Sequence, residues 1–178
     1  RFGGNKLTHA IDGEPMIARA LRLYAGNPFA ARVCVTRAEA REIRSLAQVG
    51  GYGVVINPDP DRGIGSSVAV ATVELIRRKP ELDGILYAVS DQPYLAIGSV
   101  RKLIAAFEEH PQSIVSLCFG NRRGNPAIFP KDLFEELLAL SEDTGGGAVI
   151  RRHPERLIQI EADTARELED IDTRERLD

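Results

Sequence analysis

The residues with chemistry to offer are grouped in a few loops rich in glycine and proline. Arg1-Phe2-Gly3-Gly4-Asn5-Lys6 places cations on either side of a glycine pair. Such a loop can hold a polyphosphate through glycine amides and a lysine point charge, the alternative being a solvated basic terminus. It is not a P-loop, because Leu7 stands where Ser or Thr should follow the lysine. Asp91-Gln92-Pro93 follows the apolar run Ile85 to Val89, which puts a carboxylate at the carboxyl end of a buried strand. One or two carboxylates plus substrate phosphates is the usual way to hold Mg2+. The partner carboxylate is Asp170 or Asp172; Asp172 or Thr173 also reads as a cap for a short final helix over Arg174 to Leu177.

Gly63-Ile64-Gly65-Ser66-Ser67-Val68 opens a helix and nearly matches a dinucleotide fingerprint. Val68 in place of the third glycine, and a position after a middle strand, argue against a nicotinamide dehydrogenase. What remains is a helix start offering amides and hydroxyls to an anion or a base edge, or Ser66 or Ser67 as a plain cap. Arg122-Arg123-Gly124-Asn125-Pro126 joins two strand-like segments, and Asp143-Thr144-Gly145-Gly146-Gly147 precedes a short helix. Cys34 and Cys118 lie in apolar runs and are expected to be buried thiols, while His9, His110 and His153 show no paired spacing. A zinc site, a disulfide framework or a Cys/His catalytic pair would have to be assembled from lone residues.

These loops need elements to position them. Short runs of Val, Ile and Leu at Val33 to Val35, Val54 to Ile56, Ile85 to Val89, Ile114 to Leu117 and Leu157 to Ile160 read as strands covered on both faces. Helical periodicity appears behind Pro15, at 38–48, at 66–78 and at 97–109, where Ile97, Val100, Leu103, Ile104 and Phe107 form a core stripe. Alternation of the two predicts an α/β, Rossmann-like three-layer α/β/α sandwich on a mostly parallel sheet, with ligands beyond the carboxyl ends of the strands. The chain's 178 residues, 43% hydrophobic and 28% charged, suit one domain over 1–178. A formal charge of −3 gives no cationic excess for nucleic acid. No apolar stretch reaches a membrane span and no signal-peptide pattern opens the chain, so a cytoplasmic location is expected. The start at Arg1, with no initiating Met, is read as a missing upstream segment.

Taken in order, the loops resemble the nucleotidyltransferases of molybdenum-cofactor biosynthesis, and among them the molybdenum cofactor cytidylyltransferase branch that serves xanthine-dehydrogenase-type hydroxylases. Arg1, Phe2, Gly3 and Lys6 match the end of that family's R-F-G-x-x-K loop. Asn57 with Gly63 to Val68 resembles a segment where N-P leads to glycine and paired serines, and Asp91-Gln92-Pro93 its D-Q-P. Arg123 to Pro126 resembles R-G-H-P, Asp143 to Gly145 the D-x-G, and Asp170 to Thr173 the closing D-I-D-T. The family's first strand and most of its glycine-rich loop do not precede Arg1, Asn125 stands where His is usual, and Gly147 where Arg is common.

The resemblance implies a nucleotidyltransferase fold and attack by the terminal phosphate of molybdopterin, with or without bound metal, on the α-phosphorus of CTP, releasing pyrophosphate. In that reading Arg1 and Lys6 neutralise the triphosphate, and Gly3, Gly4, Asn57, Gly65, Ser66 and Ser67 hold the nucleotide, with Ser67 helping to read cytosine. Asp91 and Asp172 hold Mg2+ or Mn2+, and Arg123, Gly124, Asn125, Pro126, Asp143 and Gly145 line the pterin side. A molybdenum hydroxylase is the implied client. Rival readings are a GTP-dependent or sugar-1-phosphate transferase of the same fold, and a non-catalytic chaperone that inserts the cofactor.

Overall fold

Short apolar runs become strands in this chain because the helices between them cover both faces of the sheet. The computed structural model describes residues 6–140 and 143–171. After a 3-10 turn at Lys6–Thr8, β1 (Ala10–Ile11) and β2 (Glu14–Pro15) pair as a minimal antiparallel hairpin. Its corner is Asp12-Gly13, with φ of 52° and 81°, the positive angles a tight hairpin turn demands. There follow α1 (Met16–Ala25), β3 (Val33–Thr36), α2 (Arg41–Val49), β4 (Gly53–Ile56), α3 (Ile64–Arg78) and β5 (Gly84–Tyr87). The second half comprises α4 (Ile97–Glu109), β6 (Ile114–Phe119), β7 (Arg122–Pro130), α5 (Phe134–Leu138), α6 (Gly147–Arg152) and β8 (Leu157–Glu161).

β3 and β4 pair parallel, and a four-stranded sheet has the order β5-β7-β6-β8. Within it β5, β6 and β8 run one way and β7 opposes its neighbours. Alternating side chains feed opposite layers. Ile114, Ala127 and Phe129 pack with Val68 of α3, Phe134 and Leu137 of α5, and Val149 and Ile150 of α6. Val115, Leu117 and Ile128 pack with Val100, Leu103 and Phe107 of α4. Ile17 and Leu21 of α1 meet Ile43 and Ala47 of α2 beside Cys34 and Val54. The result is helices on both faces of a central sheet, the expected three-layer α/β arrangement.

Several boundaries differ from those read in the sequence. Arg122 to Pro126, expected to connect two strand-like segments, is itself the start of β7; the turn is Gly120-Asn121, with Gly120 at φ 57°. So short a connection can only return antiparallel, which is why β7 breaks the otherwise parallel direction. Pro15 stands at the N-cap of α1 and not inside its first turn. Ile97, placed in the core stripe of α4, stays 39% exposed beside a 340 Å³ cleft between α1 and the Gln92-Pro93 corner. The short helix expected at Arg174 to Leu177 lies outside the described residues. Among the described residues no helix is long and apolar enough to cross a membrane.

Both cysteines are free thiols, Cys118 buried and Cys34 half-buried. Burial, then the Glu161 carboxylate that accepts its S–H, pushes Cys118 up to about 11, and burial raises Cys34. Only the thiolate is nucleophilic, so Cys118 should react with iodoacetamide at pH 8 about 100-fold more slowly than an exposed cysteine. In urea both thiols should label at the same fast rate. Rapid labelling of native Cys118, read by mass spectrometry, would contradict the packing described.

Candidate functional site

Three segments distant in sequence meet beyond the carboxyl end of β5. Lys6 Nζ lies 2.6 Å from Asp91 Oδ2, with the two side chains 31% and 22% exposed. The Ile171 amide donates to the Asp91 carbonyl at 3.0 Å, and Gln92 Nε2 donates to Asp170 Oδ1 at 3.0 Å. Ile171 is fully buried against Ile11 and Met16, with Leu7 and Tyr94 packed alongside. Lys6, the D-Q-P corner and Asp170-Ile171 are thereby held at one place. Arg1, Gly3, Gly4 and Asp172 lie outside the described residues.

The clamp behind this junction is Glu167, which the sequence reading did not single out. It is 3% exposed, and its Oε1 accepts the amides of Asp163 and Thr164 while its Oε2 accepts that of Ala96, at the start of α4. Thr164 and Glu167 form a reciprocal capping box around the 3-10 helix Ala165–Leu168. The T-x-x-E spacing was the available signal. The Arg166 guanidinium covers the Tyr94 ring at 3.7 Å, and Arg122 Nη2 donates to the Leu168 carbonyl at 3.0 Å. The segment from Asp163 to Ile171 thus joins β7 to the D-Q-P corner.

The loop from Asn57 to Ser67 follows β4 and enters α3. Gly63, at φ 88°, makes the turn into the helix that a side chain would resist. Asn57 is 4% exposed and spends its amide inside the loop: Nδ2 donates to Ser66 Oγ at 2.8 Å and Ser67 Oγ at 3.0 Å, and Oδ1 accepts the Asp59 amide. Ser66 Oγ is within 2.8 Å of the Gly63 carbonyl, and neither serine caps the helix. Asn57 therefore positions both serines from within, its amide donating to each hydroxyl oxygen. α3 is fixed over β5 by Thr72 Oγ1 and Tyr87 Oη at 2.7 Å.

Ile64 at the head of α3 reaches the second glycine loop, where a Cβ on Gly145 would stand 3.2 Å from Ile64 Cγ2. A Cβ on Gly146 would collide with the Phe129 ring at 2.7 Å, so α6 can start this close to β7 only on glycine. Gly124, Asn125 and Pro126 form a bulge opposite Leu117, between the pairs Ser116–Ala127 and Cys118–Arg123. That is where a strand tolerates proline. The Asn125–Pro126 peptide is cis, Pro126 is buried, and Gly124 closes on Leu168. Of these residues expected on the pterin side, Arg123 and Asp143 are exposed, Gly124, Asn125 and Gly145 are half-buried, and Pro126 is buried.

Among the described residues no three His, Cys, Asp or Glu side chains come together as a metal cage. Asp91 still offers a hard oxygen at a strand end, the donor type that a divalent ion completes with substrate phosphates. A cation, a carboxylate and a hydroxyl-bearing helix start at the carboxyl ends of the strands suit nucleotide phosphate chemistry.

This fold and loop order define a Rossmann-like nucleotide-transferring enzyme. The family model of the MobA-like NTP transferase domain matches residues 1–157, and the chain belongs to that family. Nicotine blue oxidoreductase of Paenarthrobacter nicotinovorans is 27% identical over 153 residues, covering 82% of this chain and 72% of that protein. Rv0371c from Mycobacterium tuberculosis H37Rv aligns with a TM-score of 0.81 at 25% identity, over 99% of this chain and 90% of that one. Its manganese complex aligns at 0.76 and 22% identity, over 96% and 87%. A nucleotidyl transferase from Methanothermobacter thermautotroptrophicus, Mth528, aligns at 0.74 and 23% identity, over 93% and 78%, and shares the fold. The protein is a nucleotidyltransferase of the MobA-like type.

If Glu167 is the clamp, Glu167→Ala strands buried amides and should lower the unfolding free energy in urea by about 3 kcal/mol. Lys102→Ala, which breaks the exposed Lys102–Asp163 pair at 2.5 Å beside it, should cost less than about 0.5 kcal/mol. Equal, small losses from both would contradict the assignment.

Proposed function

We propose that this chain, acting as one domain over 1–178, transfers CMP from CTP to the terminal phosphate of molybdopterin, with or without bound metal, and releases pyrophosphate. The observation that carries the reading is the meeting of Lys6, Asp91 and the Asp170-Ile171 segment at one strand end. It brings to one place the ends of the three loops that a polyphosphate reaction needs, and Asp172 follows Ile171 directly. Two thiols without a disulfide suit a cytoplasmic enzyme, and a molybdenum hydroxylase is the client that would consume the product.

An acceptor phosphate oxygen attacks the α-phosphorus, the bond from that phosphorus to the bridging oxygen breaks, and pyrophosphate leaves with the electron pair. Such chemistry needs positioning and charge neutralisation more than covalent help. Lys6 and Arg1 balance the triphosphate. The glycines Gly3, Gly4 and Gly65 let backbone approach its oxygens, and Ser67, oriented by Asn57, donates to the cytosine edge. Asp91 and Asp172 would hold Mg2+ or Mn2+; the manganese complex of Rv0371c supports a divalent ion in this fold. That ion would supply charge to the leaving pyrophosphate. Arg123, Asn125, Asp143 and Gly145 bound the acceptor side.

Pyrophosphate release with molybdopterin and each nucleoside triphosphate tests the reading directly, with CTP expected to be preferred. Asp91→Asn should cost roughly 10²–10³-fold in turnover, the scale of a lost preorganised electrostatic contact. Lys6→Ala should raise the KM for CTP and slow transfer with the fold intact. Ser67→Ala should erode the CTP-over-GTP preference more than it slows GTP use. Turnover with GTP or a sugar 1-phosphate alone would favour the same-fold transferases, and bound pterin without turnover would favour a chaperone.

A further inference from the structure

Two exposed guanidinium groups near the proposed acceptor side, neither hydrogen-bonded nor ion-paired among the described residues, flank the same glycine. A Cβ placed on Gly147 would stand 3.5 Å from Arg123 Nη2 and 3.7 Å from Arg151 Nη1. Arg123 comes from β7 and Arg151 from α6, one turn beyond Gly147. Long helical side chains lean back toward the N-terminus, so Arg151 lies over residue 147, where glycine leaves the space. The adjacent arginines are committed elsewhere: Arg122 Nη2 donates to the Leu168 carbonyl, and Arg152 Nε donates to Glu136 Oε2 at 2.7 Å. Arg123 and Arg151 are exposed, and among the described residues neither meets a carboxylate. Two guanidiniums flanking one gap, with no acid beside them among the described residues, can grip a single anion from both sides.

We propose that Arg123 and Arg151 form a two-arginine site for a phosphomonoester dianion, and that this dianion is the phosphate of the acceptor substrate. The class of anion follows from the guanidiniums, which present planar, paired N–H groups that match phosphate oxygens. Its identity as the acceptor phosphate rests on the transfer reading above. Position supports it: Gly145, two residues before Gly147, packs against Ile64 at the head of the serine-bearing loop. The arginines therefore border the same glycine loop that touches the head of α3. Arg151 is then a specificity-determining residue for the acceptor, and Arg123 its partner.

The site is tested first without turnover, by phenylglyoxal modification of the full chain read at each arginine by mass spectrometry. Inorganic phosphate should slow modification of Arg123 and Arg151 several-fold and leave Arg101, an exposed residue of α4, unchanged. In Arg123→Ala the protection of Arg151 should vanish. Protection absent in the wild type, or equal in Arg123→Ala, overturns the paired site. The second arm is kinetic: Arg151→Ala should raise the KM for molybdopterin about tenfold, with the KM for CTP within about twofold and partial rescue by Arg151→Lys. A rise in the CTP KM alone would assign the arginines to the triphosphate and overturn the acceptor assignment. Absence of turnover with every nucleotide would overturn the transfer reading, leaving the protection result to decide the arginine site.

Discussion

The front of this molecule depends on one buried carboxylate. Glu167 takes the amides of Ala96, Asp163 and Thr164 on its two oxygens while 3% exposed. Removing a carboxylate from water is costly unless the protein supplies donors in exchange, and here three backbone amides do so. One of them belongs to Ala96, the N-cap residue of α4, which has no side-chain oxygen of its own to cap the helix. A residue 71 positions later therefore finishes that helix start and in doing so fixes the returning segment against the D-Q-P corner. Ile171 then reaches the Asp91 carbonyl, and Asp170 reaches Gln92.

The second constraint is how closely separate elements approach. Gly145, Gly146 and Gly147 each face a different neighbour: Ile64 of α3, Phe129 of β7, and the Arg123–Arg151 pair. A side chain on Gly146 would drive α6 off β7, and one on Gly147 would occupy the ground between the guanidiniums. At the bulge of Gly124 to Pro126, Pro126 is buried while Arg123 beside it stays exposed. The meeting of the Gly145 loop with the head of α3, and of α6 with β7, follows from close apolar packing at glycine.

Much of the architecture was legible in the sequence because its strands are continuous apolar runs and its helices are amphipathic. β7 was not, since its first half is Arg122-Arg123-Gly124-Asn125-Pro126, a polar stretch with a glycine and a proline that strand patterning rejects. It is a strand because the bulge removes proline from the hydrogen-bonding register. The D-G corner between β1 and β2 carried a readable turn signal, but strands of two residues have no periodicity to flank it. For the candidate site, Lys6 was legible as the cation ending a glycine-rich loop and Asp91 as a carboxylate at a strand end, and the two are in contact. Glu167 and Arg151 were missed for different reasons. Glu167 sits in a local T-x-x-E pattern whose long-range bond to Ala96 no local signal reveals, and Arg151 matters only through the void at Gly147 and the reach of Arg123.

In the proposed function, Asp91, at the junction with Lys6 and Ile171, is where a divalent ion and a nucleoside triphosphate come together. Electron paramagnetic resonance of Mn2+ titrated with the protein and CTP reads this site. CTP should tighten Mn2+ binding to the wild-type chain, and Asp91→Asn should lose this enhancement while remaining folded. Undiminished, CTP-dependent Mn2+ binding by folded Asp91→Asn would contradict it.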